Sequence, residues 1–285
     1  MDLFYAIHVH MHSEWSPFEG PVMADLDPVA AQGYIEQVRA IAGVLEAHGA
    51  VGSFHFTVGT AAGLCIHAPE FFDALEDSGH EIGIHAHSNE FLLRAADAMT
   101  GVCGREIDTG SGLAAMAGGP DGSTPASLAA SLEVFRRVGA SQLLVNVAKW
   151  CGTTSSGGNA LAPWRVEGDD LCAADHDGIL LIDQASLEYV LTDGAPADVF
   201  SEYEFATLAG LAEAAIAEAA SLPGPIAVWG FVTHTNEYVL GATATARPEE
   251  SALAGLDLLL GRLDTYVESG RARWSTAAEI AARVP

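Results

Sequence analysis

Short apolar runs of strand length alternate with stretches of helical spacing along this chain. Leu3 to about Met11 reads as a first strand. Asp27-Pro28 supplies a cap and a first helical residue, and Val29, Val38, Ile41 and Leu45 continue at helical spacing until Gly49 stops the helix. Val51 to Val58 reads as a strand, Pro69 to Leu75 as a short helix ended by Gly79, and Glu81 to His85 as another short strand. Residues 101–125 are rich in Gly, Ser, Thr and Asp and read as a long loop; 151–163 read as a second one. Ser127 to Val138 is a helix, and Gln142 to Val147 and Ile179 to Asp183 are strands. Glu204 to Ala220 is an alanine-rich helix, and Pro223-Gly224-Pro225 punctuates before a strand over Ile226 to Val232. Pro248 opens an amphipathic helix carrying Leu253, Leu256, Leu260, Leu263 and Val267, which Gly270 ends. Arg271 to Trp274 is a last short strand, and Thr276 and Glu279 have capping-box spacing for a final helix. Strands alternating with helices imply parallel strands covered by helices, in an open sheet or a barrel. With no repeat and no linker in the pattern, residues 1–285 are expected to form one domain.

Composition narrows the possible partners. The 285 residues carry 12 Lys+Arg against 38 Asp+Glu, a formal net charge of −26, while hydrophobic residues make up 49%. That apolar fraction excludes a disordered chain. The acidity argues against nucleic acid and anionic membrane surfaces, since Lys149 is the only lysine and the arginines are scattered. No run approaches the roughly 18 apolar residues of a membrane span. The N-terminus has no basic region followed by an apolar core, so no signal peptide is read. Cys65, Cys103, Cys151 and Cys172 match no paired metal spacing. Reduced cysteines in a cytoplasmic protein are the expectation. A homo-oligomer is left open.

The candidate chemistry lies in the eleven histidines. His8, His10 and His12 alternate along the first strand and so share one face. Residues two apart on a strand are roughly 6.6 Å apart, and their imidazoles can lean toward one ion. His85 and His87 repeat the spacing at the end of the third predicted strand, and His234 follows the strand Ile226 to Val232. Functional groups of parallel α/β folds gather at the carboxyl ends of strands, so these histidines are expected on one rim. His10, His12, His85 and His87 are read as a metal site. His8 sits deep enough in its strand to be a hydrogen-bonded core residue instead, and His55 lies in an apolar strand that suits the core. His48, His67, His80 and His176 fall at helix ends or turns, where surface or capping roles suffice. Trp15, Trp150, Trp164 and Trp229 fall beside the site segments, where they could stack on a sugar ring or serve the core. There is no phosphate-binding loop ending in Lys-Ser or Lys-Thr, and no Gly-x-Ser-x-Gly elbow.

Pro69-Glu70-Phe71-Phe72-Asp73-Ala74-Leu75-Glu76-Asp77-Ser78-Gly79-His80-Glu81-Ile82-Gly83-Ile84-His85 resembles the stretch leading into the second motif of polysaccharide deacetylases, the NodB-homology group. Gly49 to Gly59 is similar to that family's second-strand segment. The C-terminal third resembles it too, with a strand ending near His234, a proline-started helix, and Ala272-Arg273-Trp274-Ser275-Thr276 close to the end. The resemblance implies a distorted (β/α)7 barrel and a divalent-metal hydrolase that removes acyl groups from amino sugars or opens related amide bonds. It implies His85 as the first metal histidine and His234 as the acid. The first motif departs from the family pattern of adjacent aspartates, with His8-Val9-His10-Met11-His12-Ser13-Glu14 in its place. Asn89 stands where the second metal histidine belongs, so His87 is its expected substitute, and Glu14 is the nearest carboxylate for a base. The third motif region holds Asn146-Val147-Ala148-Lys149-Trp150.

The leading expectation is therefore a hydrolase in which a divalent metal, zinc by its donor set, activates water for attack on a carbon–nitrogen amide bond. Glu14 is the base and His234 the acid; Trp15, Lys149, Trp150 and Trp164 set a carbohydrate or other small substrate. Two alternatives stand beside it. His10-Met11-His12-Ser13-Glu14-Trp15-Ser16 resembles the opening His-x-His motif of PHP-type phosphoesterases. A deacetylase-like barrel with altered motifs would also serve as a sugar- or metal-binding protein without turnover.

Overall fold

The computed structural model describes residues 2–12, 26–85, 88–111, 125–168, 170–185, 202–235, 238 and 249–285. Among these, nine strands share one sheet. They are β1 (Asp2–Met11), β2 (Gly52–Phe56), β3 (Glu81–His85), β4 (Thr109–Ser111), β5 (Gln142–Val145), β6 (Trp164–Val166), β7 (Ile179–Asp183), β8 (Ile226–His234) and β9 (Ala272–Trp274). All pairings are parallel except β6 with β7. The helices are α1 (Pro28–Ala47), α2 (Val58–His67), α3 (Glu70–Asp77), α4 (Asn89–Asp97), α5 (Pro125–Arg137), α6 (Ala148–Cys151), α7 (Glu202–Ala219), α8 (Glu249–Glu268) and α9 (Ala277–Ala281). No helix among the described residues is long and apolar enough to cross a membrane.

β1 organises the sheet. β8 pairs along its whole length on one edge, while the other edge is divided between β2, opposite Ile7–Met11, and β9, opposite Leu3–Tyr5. Its side chains separate by parity. Leu3, Tyr5, Ile7, Val9 and Met11 join the large apolar cluster packed against the helices. Phe4 and Ala6 join a smaller cluster with Leu144, Leu180, Ile182 and Val228. Two clusters on opposite faces of one curled sheet mean an outer layer and an inner lining.

The sheet closes into a barrel of seven parallel strands. Beyond β7, Ala185 bridges Phe231 of β8: the Ala185 N–H donates to Gly230 O at 2.7 Å, and Val232 N–H donates to Ala185 O at 3.2 Å. Further down, where β6 covers the edge of β7, Asn159 stitches the seam. Its Nδ2 donates to Asp183 O at 2.9 Å and Val228 O at 3.1 Å. The predicted 151–163 loop thus fills a structural gap. Register fixes the tilt. From Met11 the pairs run through Phe56, Ile84, Gly110 and Leu143 to Leu181. In the other direction Ile7, four residues earlier, pairs Phe231, which meets Ala185, four residues later than Leu181. One circuit therefore staggers by roughly eight residues, which tilts the strands as a closed barrel requires.

The floor is sealed by α9. Thr276 and Glu279 form the expected capping box. Ala277 and Ile280 fill the bottom of the inner cluster, and the partly buried Glu81 carboxylate accepts from the N–H groups of Ala277 (2.8 Å) and Ala278 (3.0 Å). Burial pushes the Glu81 carboxyl pKa up, against the pull of its hydrogen bonds from Ser53, Thr109 and these two amides.

Three expectations are corrected. The strand Val51 to Val58 stops at Phe56, and Val58–His67 is a buried helix. Its apolar residues point nearly all round, so no polar face marks it in the sequence. The loop over 101–125 contains the sheet strand β4, three residues long. The cysteines are not reduced. Cys65 of α2 pairs with Cys103, and Cys151 of α6 with Cys172, with Cα atoms 5.1 and 5.2 Å apart. Pairing across 38 and 21 residues depends on tertiary contact and leaves no local spacing signal. The cysteines thus give no support to a cytoplasmic location.

At the end of α1, His48 Nδ1 meets Asp264 at 2.7 Å and Nε2 meets Asp257 at 3.0 Å, tying α1 to α8. Partial burial opposes charging of the ring, but the two carboxylates outweigh it and raise its pKa. The stabilisation is then full below the ordinary histidine value and is lost as pH rises through the raised one. His48→Ala should cost about 0.5–1 kcal/mol at pH 5.5 and less at pH 9, as urea midpoints at the two pH values would show.

Candidate metal centre

The inner face of β1 continues upward from Phe4 and Ala6 to His8, His10 and His12, all buried. His10 pairs in register with His55 on one side and with His234 on the other. Two adjacent strands thus bring their carboxyl-terminal histidines to the same height as β1. The tilt does the rest. Level with His10, correcting for about one residue of stagger per strand, stand His85 on β3 and Asn146 just beyond β5. The rings agree, since His85 stacks on His10 with centroids 3.7 Å apart and lies 4.8 Å from His12.

One ring nitrogen each from His10, His12 and His234 lies within 4.8 Å of the others. His10 Nδ1 stands 3.1 Å from His234 Nε2. Two nitrogens at roughly 2.0–2.1 Å from a tetrahedral ion are about 3.3 Å apart, so this separation already suits two ligands of one ion. Three imidazoles are a donor set that zinc accepts, in sites where water takes the fourth position. Burial, reinforced by the neighbouring His85, His8, His234 and His12, holds the His10 pKa well below the usual histidine range. The ring is therefore neutral, as a metal ligand must be.

Below this layer the packing is tight. His8 and His55 are fully buried, with centroids 4.4 Å apart. Burial, then His55 and His234, lowers the His8 pKa well below its ordinary value; burial lowers that of His55 to about 3. Gly83 leaves the space that His55 fills, and Gly230 the space for Gln184. In each case a Cβ would press into that side chain and into a backbone carbonyl, of Thr109 and of Ala6 respectively.

Among the expected site residues, the structure thus brings His10, His12, His85 and His234 together. His234, for which the resemblance implies the acid role, has a ring nitrogen within 4.8 Å of those of His10 and His12. Glu14, Trp15 and His87 lie outside the described residues. Lys149 and Trp150 are in α6, directly after β5, and their side chains lie outside the described residues as well. Trp164 packs against the outer apolar layer and donates its Nε1–H to Leu171 O at 2.7 Å. It lines a cavity of about 260 Å³ beside the Cys151–Cys172 disulfide. Asn146 was not singled out as a site residue. Its parity with Leu144 of the inner cluster, against Val145 and Val147 of the outer one, turns it into the barrel, where it is buried. Strand parity at the end of Gln142 to Val147 was the available signal.

No family model matches the sequence, and no curated protein does. Solved structures do. A putative polysaccharide deacetylase from Mycobacterium smegmatis is similar with TM-score 0.55 at 16% identity, covering 98% of this chain and 90% of that one. The Puue allantoinase gives 0.60 at 14% identity over 98% and 89%. A 4-alpha-glucanotransferase from Thermococcus litoralis gives 0.57 at 12% identity, covering 100% of this chain and 41% of that one. Three different activities on one architecture mean that the likeness carries the fold and leaves the reaction to the site. The chain has the (β/α) barrel fold of the polysaccharide deacetylase type.

Proposed function

We propose that this protein is a metal-dependent hydrolase of carbon–nitrogen amide bonds, acting on an acylated sugar or a related small amide. The observation that carries this reading is the convergence of His10, His12 and His234 donors at the carboxyl-terminal end of the barrel. Zinc bound there supplies Lewis acidity and an activated water for attack on an amide carbonyl. His10, His12 and His234 hold the ion, and the neutral His10 ring leaves its lone pair free for that purpose. His85, whose ring stacks on that of His10, would pass a proton to the leaving amine in place of His234. Glu14, two residues beyond His12, is the proposed base, with Trp15, Lys149 and Trp150 as substrate contacts. Asn146, level with His10, offers both a donor and an acceptor to a substrate amide. The two disulfides support a setting that oxidises thiols over the cytoplasm. The shared fold with proteins called deacetylases and an allantoinase raises the prior for amide substrates.

The test is release of acetate or ammonia from N-acetylated sugar oligomers and small cyclic and linear amides, by zinc-loaded and chelator-treated protein. Zinc-dependent turnover on one of them is expected. Zinc binding without turnover on any would leave a binding protein. The His-x-His pair within the donor set gives the phosphoesterase reading its own support, so p-nitrophenyl phosphate belongs in the panel. Turnover of that ester alone would replace the amide reading.

A further inference from the structure

The donor set leaves two deeper histidines unexplained. Neither ring nitrogen of the fully buried His8 has a hydrogen-bond partner among the described residues, and neither does Nε2 of His10. A buried polar atom left unsatisfied costs about 1–3 kcal/mol, so three on neighbouring rings call for a role. The two rings are in contact, edge to face, with centroids 4.2 Å apart. His55 packs against the far side of His8, at 4.4 Å and 80°.

The orientation of His10 indicates that role. Its Nδ1 is the atom turned to His234, at 3.1 Å. An imidazole that ligates through Nδ1 carries its proton on Nε2, and a ligating histidine passes that N–H to an acceptor that fixes its tautomer and its ring plane. Nε2 of His10 is buried, and of the described rings in contact with His10 that of His8 is the one with both nitrogens without a partner. A neutral imidazole has one nitrogen that accepts.

We propose that His8 is the positioning residue of the metal centre. Its ring, held from behind by His55, accepts the Nε2–H of His10 across one buried water, and so locks His10 as an Nδ1 ligand. The proposal rests on the metal reading above and assigns His8 no contact with the ion.

Zinc titration against a chromophoric chelator, with wild type, His8→Phe, His8→Leu and His8→Gln, tests it. One zinc per wild-type chain is expected. His8→Phe and His8→Leu, which cannot accept, should weaken zinc binding by about 10–100-fold. His8→Gln, which can, should stay within a few-fold of wild type. Melting curves of the metal-free variants separate this from misfolding, because an apolar side chain there removes unsatisfied atoms and should not lower the midpoint. Unchanged zinc affinity in both apolar variants would overturn the proposal and leave the metal reading intact. So would two ions per wild-type chain with one lost in His8→Phe, which would make His8 a ligand. A wild-type protein that binds no zinc would remove the metal reading and this proposal together.

Discussion

His12→Ala should lower zinc affinity by about a hundredfold and remove zinc-dependent hydrolysis. Structural zinc sites with four ligands are worth about 10–16 kcal/mol, so one ligand of such a set carries about 3 kcal/mol. His12 is the uppermost of the three β1 histidines and makes ring contacts with His10, His85 and His234. Its removal leaves two donors and an enlarged mouth. The fold should tolerate the loss, because His12 lies beyond the last paired residue of β1 and the apolar clusters do not include it. Metal content after dialysis, with a melting curve of the metal-free variant, checks both halves. Full retention of zinc would exclude His12 as a ligand.

Gly83→Ala should cost about 3 kcal/mol or more, far more than alanine at the open helical position Gly33. The added methyl would meet the His55 ring and the Thr109 carbonyl oxygen closer than real Cβ atoms come. Neither can withdraw. The carbonyl belongs to β4, which pairs with β3, and His55 is enclosed between His8 and the barrel wall. Gly33→Ala is the control. It sits in α1 with nothing within 4 Å of a Cβ, so alanine there should be neutral or stabilise by up to about 1 kcal/mol. Urea unfolding of both variants gives the comparison, and equal midpoints would contradict the packing described for the interior.

What the sequence reveals of this barrel follows from which signals are local. β1, β3, β5, β7 and β8 are apolar runs bounded by turn residues, and α1 and α8 carry starts, stops and stripes, so all are legible. β4 is three residues in a Gly- and Thr-rich segment, and its strand state comes from its neighbours β3 and β5. α2 is buried nearly all round and reads no differently from a continued strand. The site was legible in part for the same reason. Period-two spacing puts His8, His10 and His12 on one face, and strand ends announce His85 and His234. Which of them share an ion is set by barrel stagger, a property of the closed sheet that no local spacing encodes. Direct register brings His234 to the height of His10, and the stagger brings His85 and Asn146 to that level. The cysteine pairs escaped notice likewise, since each joins elements that only the fold makes neighbours.

Anomalous diffraction at the zinc edge from a zinc-soaked crystal tests the central claim most directly. One peak is expected inside the carboxyl-terminal mouth, about 2.0–2.1 Å from a ring nitrogen of each of His10, His12 and His234. No peak among these three histidines, or a peak bound only by surface carboxylates, would contradict the account.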